Sequence, residues 1–96
     1  MKIRARFTPE AARLIAHLSP EVKRLIRSAI DQLRGDPLAG SELSAELQGY
    51  RSHKVRRYRI IYRLRGSYLE VYHVGHRRDV YETLRSLLDS LSAEQP

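Results

Sequence analysis

Cysteine is absent from the 96 residues, so neither a disulfide framework nor a cysteine-ligated zinc or iron–sulfur centre can form. Long apolar runs are absent as well. No uncharged stretch approaches the roughly 18 residues of a spanning helix, and Met1 to Phe7 alternates where a signal peptide would be continuously apolar. The five glycines form no phosphate-binding loop, and the chain has no internal repeat or low-complexity segment, which argues against a nucleotide-binding enzyme. The expectation is a single soluble domain over residues 1–96, in the cytoplasm by default, with no membrane partner.

Acidic residues are scarce where basic ones are dense. The formal charge is +7, and residues 51–85 carry 10 Lys or Arg against 3 Asp or Glu. Residues 1–50 hold 8 against 6, and residues 86–96 hold none against 2. Essentially all the excess lies in one stretch. Apolar content of 42% is too high for a disordered basic tail, so the charge belongs to a folded surface.

Periodicity orders the elements. Ile3, Ala5 and Phe7 alternate with Lys2, Arg4 and Arg6, the pattern of a half-buried strand. Thr8-Pro9-Glu10 supplies an N-cap, a first-turn proline and an early acid for a short helix carrying Ala11, Leu14, Ile15 and Leu18. Ser19-Pro20-Glu21 repeats the signal for a longer helix, whose Val22, Leu25, Ile26, Ala29, Ile30 and Leu33 form one stripe until Gly35-Asp36-Pro37. Residues 36–49 read as a surface connection pinned by Leu43 and Leu47. The period then becomes two, predicting strands near 50–56, 58–65 and 68–75 with a turn at Arg65-Gly66-Ser67. Asp79 and Glu82 stand in capping-box spacing before a final helix striped with Val80, Leu84, Leu87, Leu88 and Leu91. The order is β-α-α-β-β-β-α, an α+β fold with an antiparallel-rich twisted sheet, an N-terminal helical hairpin and a C-terminal helix.

Seven cationic side chains and no acid lie between Arg51 and Arg65. If a tight turn at Arg56-Arg57 pairs the two strands, Val55 faces Tyr58 and Lys54 faces Arg59 on the opposite side. Like charges across a ladder are destabilising. A face holding Lys54, Arg59 and Arg63 therefore suits a polyanion, and six tyrosines from Tyr50 onward add groups that stack on unpaired bases. The alternative is that these arginines deter edge aggregation and cover aromatic surface with their stems. A second constellation, Val74-Gly75-His76-Arg77-Arg78-Asp79-Val80-Tyr81-Glu82, sets three polar cations where a strand ends and a helix begins. A metal site built from His73 and His76 is disfavoured, because the two point to opposite faces of a strand. No cofactor is expected.

The runs Leu47-Gln48-Gly49-Tyr50-Arg51, Val55-Arg56-Arg57-Tyr58-Arg59-Ile60-Ile61-Tyr62-Arg63 and Tyr72-His73-Val74-Gly75-His76-Arg77-Arg78-Asp79-Val80-Tyr81 resemble the RelE/ParE superfamily of bacterial toxins, the RelE branch above ParE. The resemblance implies a ribosome-dependent endoribonuclease that cuts mRNA in the A site. It also implies a cognate antitoxin, and leaves an antitoxin-bridged hetero-oligomer open. It places catalytic roles on Lys54, Arg59, Arg77 and Tyr81, with Arg51, Arg56, Arg63, His76 and Arg78 as RNA contacts. A further family lysine meets Ser52. The chemistry is attack by the RNA's own 2′-hydroxyl, which needs a proton acceptor, charge stabilisation and help for the leaving oxygen. Lys54 is the candidate acceptor. Two other readings stay open: a ParE-like inhibitor of DNA gyrase, and a non-catalytic relative attenuated at Ser52.

Overall fold

Local signals decide where the helices begin. In the computed structural model, which describes residues 2–43 and 47–79 and the single positions 82, 85 and 89, Thr8 Oγ1 accepts the Ala11 N–H at 3.1 Å and opens α1 (Pro9–Ala16). Ser19 Oγ does the same for Val22 N–H at 3.4 Å and opens α2 (Pro20–Gly35). Each cap satisfies an amide that a helix start leaves without a partner. The apolar stripe of α2 buries Ile26, Ala29, Ile30 and Leu33 as its spacing requires.

Five strands form one sheet: β1 (Arg4–Phe7), β2 (Ser41–Glu42), β3 (Tyr50–Val55), β4 (Tyr58–Arg65) and β5 (Tyr68–His76), in the order β1-β5-β4-β3-β2. β1 runs parallel to β5, and the other pairs are antiparallel. The two-residue β2 corrects the expected connection over 36–49; it exists only because Ser41 and Glu42 find Ser52 and Arg51 across the ladder, and no local pattern announces it. The expected strand from Lys2 starts at Arg4, and Phe7 is 43% exposed instead of buried, since β1 lies at the sheet's edge.

A bulge phases the sheet. Ile61 pairs with His73 but Tyr62 with Val71, so Tyr72 is extra on β5. Val74 and Val71, three residues apart, thereby both face the helices with Leu69 and are fully buried there. Ile60, Tyr62 and Val55 complete that core with Ala11 and Ile15 from α1. Tyr62 is anchored at its tip: its hydroxyl donates to the Pro37 carbonyl at 2.7 Å and accepts the Gly40 N–H at 3.0 Å.

The other face is not bare. Leu47 folds onto it against Tyr50 and Ile61, with Leu43 and Tyr72 alongside, a small second core where an open cationic face was expected. Leu43 and Leu47 thus pin the connection as their spacing suggested. Arg77–Asp79 form a 3-10 turn after β5, and Glu82, Arg85 and Asp89 are helical and exposed. Val80, Tyr81, Leu84, Leu87, Leu88 and Leu91, the predicted apolar stripe and its tyrosine, lie outside the described residues.

Candidate functional site

The β3–β4 hairpin has the expected register, with Val55 opposite Tyr58 and Lys54 opposite Arg59. Lys54 and Arg59 therefore share the face turned away from the helices. On Arg59's other side stands Gly75 of β5, which has no side chain to cover it. Ser52, two residues before Lys54 and 5% exposed, accepts a hydrogen bond from Arg59 Nη1 at 2.9 Å. The rest of the guanidinium fork has no acceptor among the described residues, its buried Nε included, so Arg59 is held by one corner. Where the resemblance implies a further lysine, this chain has a hydroxyl that holds Arg59.

The β5 end comes to the same place through the backbone. Arg77 N–H donates to the Arg57 carbonyl at 2.6 Å, fastening the 3-10 turn to the hairpin turn. His76 faces Tyr58 across the ladder, ring centroids 5.7 Å apart and edge to face. Its Nδ1 lies 3.3 Å from the Arg78 backbone N–H, which can only be donated to it; the ring proton is thereby assigned to Nε2. Arg57, Arg59, His76, Arg77 and Arg78 line a shallow groove of ≈ 510 Å³ with no acidic group among them. Such a wall of donors fits a phosphate diester chain.

Sequence reasoning missed Arg57; its signal was its place in a tight turn facing the end of β5. The remaining candidates lie elsewhere. Arg63 is four residues from Arg59, about 13 Å along the strand at about 3.3 Å per residue. Its guanidinium carbon sits 4.8 Å from the Tyr50 ring centre and 5.5 Å from that of Tyr72, and those two rings meet edge to face at 4.9 Å. Burial, then the hydrogen bond to Glu70, push the Tyr72 phenol up to about 12. Arg63 belongs to this packed cluster and not to the groove. Arg51 lies on the helix-side face, where Nη2 donates to the Leu38 carbonyl at 3.4 Å. Arg56 sits in the hairpin turn with φ 54° and lines a neighbouring groove. Tyr81 is outside the described residues. Burial lowers the pKa of His73, against the pull of Glu10 and Asp79.

Residues 2–81 match the family described as ParE toxin of type II toxin-antitoxin system, parDE. Among solved structures, the chain is similar to the RelBE2 toxin–antitoxin complex of Mycobacterium tuberculosis, at 30% identity over 80% of this chain and 100% of that one, with a TM-score of 0.72. It shares its fold with the YoeB/ParE toxin from Agrobacterium tumefaciens, at 21% identity over 78% and 99% of the two chains and a TM-score of 0.69. It shares it also with the intact Escherichia coli RelBE complex, at 17% identity over 77% and 95% and a TM-score of 0.68. No match is found among curated proteins.

Proposed function

The chain belongs to the ParE family of toxins of type II toxin–antitoxin systems, and from that premise we propose that it is an endoribonuclease that cuts mRNA in the ribosomal A site and is silenced by a cognate antitoxin. The observation that carries the reading is the acid-free groove whose lining Arg59, held by Ser52, shares with His76 and Arg77.

In this reading the scissile phosphate lies between Arg59 and Arg77. Lys54, beside Arg59 on the ladder, accepts the proton of the adjacent 2′-hydroxyl. The O2′–P bond forms, and the P–O5′ bond breaks. Charge that builds on the equatorial oxygens is met by Arg59 and by His76 Nε2–H, a role that their shared groove supports. Arg77 hydrogen-bonds the departing 5′-oxygen, which takes a proton from water while Lys54 returns its own to solvent. The products are a 2′,3′-cyclic phosphate and a 5′-hydroxyl end. Tyr81, carried over from the resemblance, would stack on or orient a base. Arg78 adds phosphate affinity.

The test is translation in a cell-free extract with mRNA ends mapped. New ends at ribosome-occupied codons, lost with Arg77→Ala, are expected; intact mRNA under full inhibition would refute the reading. The ParE description of the matching family favours a second reading, inhibition of DNA gyrase without cleavage. Supercoiling by purified gyrase that is unaffected by stoichiometric protein excludes it.

A further inference from the structure

On the helix side of the same sheet end lies a second groove, of ≈ 490 Å³, lined by Glu21, Val22, Leu25, Arg56, Arg57 and Tyr58. Its size falls within the usual range of small-molecule sites, about 300–1,000 Å³. Arg57 lines both grooves, and Tyr58 of this one meets His76 of the other ring to ring, so a single surface wraps round the β3–β4 turn.

Three features mark this groove. Its charges do not neutralise one another: Glu21, Arg56 and Arg57 make no ion pair among the described residues. Its floor is apolar, with Val22, Leu25 and Tyr58 only partly covered where they pack on the core. Arg56 holds the left-handed φ of 54°, a position that glycine or asparagine ordinarily fills in a two-residue hairpin turn. Strain of that kind persists where something else requires the side chain, and the Arg56 guanidinium has no hydrogen-bond partner among the described residues.

We propose that this groove is a second nucleotide subsite: it takes a nucleotide of single-stranded RNA flanking the phosphate held by Arg59 and Arg77, and it favours guanine. The inference rests on the nuclease reading for its substrate class, and names a further contact of that substrate. A base laid on Val22, Leu25 and Tyr58 would stack on the tyrosine and cover the aliphatic floor, while Arg56 and Arg57 hold its phosphate. Glu21 stands at the base's edge. Guanine shows a carboxylate two adjacent donors, N1–H and the 2-amino group, whereas uracil flanks its one N–H with carbonyl oxygens. The same carboxylate would repel an acidic peptide, which separates this groove from a docking place for acidic protein.

Binding of fluorescently labelled 2′-O-methyl pentanucleotides, which cannot be cleaved, tests the subsite on the full chain by anisotropy. Oligoadenylates carrying one G should bind about tenfold tighter than those carrying one U at the same position. Glu21→Gln should erase that difference without weakening the U oligonucleotide. Arg56→Gly should weaken both several-fold while its Tm stays level or rises, the reverse of what loss of a structural residue does. A wild-type protein blind to G against U, or Arg56→Gly binding RNA as wild type, overturns the proposal; so does Arg56→Gly weakening only an acidic antitoxin peptide. Absence of cleavage with the G preference intact would sink the nuclease reading alone. Cleavage without the preference would sink the subsite alone.

Discussion

Arg59 and Arg63 lie on the same strand, face the same way and are four residues apart, yet one lines a groove of cations and the other packs on two aromatic rings. Across the ladder Arg63 meets Tyr50 and Glu70, and its guanidinium settles over the Tyr50 and Tyr72 rings. Arg59 meets Lys54 and Gly75, one repelling it and the other leaving it uncovered, with only Ser52 among the described residues to hold it. Neighbours, not residue type, divide the roles. Aromatic faces absorb a guanidinium through cation–π attraction and stem burial. A second cation and a glycine leave it to be completed from outside.

The comparison can be broken most directly by exchanging the two losses. Arg59→Ala should lower A-site cleavage by about 10²-fold or more, as removal of one preorganised donor does, with thermal stability nearly unchanged. Arg63→Ala should leave cleavage near wild type and cost roughly 1–2 kcal/mol on the basis of its two ring contacts. Equal effects of the two variants in a cleavage assay and a urea titration would erase the distinction.

The structural end of the sheet has a second anchor. A Cβ at Gly40 would lie 2.7 Å from the Tyr62 hydroxyl oxygen and 3.1 Å from the Ser52 carbonyl oxygen. Gly40→Ala should therefore cost about 1–3 kcal/mol in denaturant unfolding, and full stability would show that Tyr62 is not held as described. At the functional end, Ser52→Ala should reduce cleavage several-fold by releasing Arg59, and Ser52→Thr should restore most of it. If both variants cleave as wild type, Ser52 merely fills space.

The smallest effect concerns protons. Because the folded protein holds the Tyr72 proton more tightly than the unfolded chain, with a pKa of about 12 against the ordinary 10 or so, its contribution is complete below about pH 10 and is lost as pH rises toward 12. Tyr72→Phe should flatten that part of the stability–pH curve.

Much of this protein was determined along the chain itself. Thr8-Pro9 and Ser19-Pro20 start the helices, the apolar stripe of α2 chooses its buried face, and the period-two run from Tyr50 makes the hairpin that sets Lys54 against Arg59. These are short-range matters, fixed by spacing, capping and turn length. What lay beyond them depended on partners distant in sequence. The two residues of β2 are a strand only beside Ser52 and Arg51, and the bulge at Tyr72 exists because Val71 and Val74 both seek the same core. Ser52 looked like a missing charge until Arg59, seven residues away, was found donating to it. Arg57 looked like a turn residue until the carbonyl it presents captured the Arg77 amide. A cation's role is set by what surrounds it in space, so the sequence by itself determined where the positive charge lies, and only the tertiary structure decided which of it is available to bind.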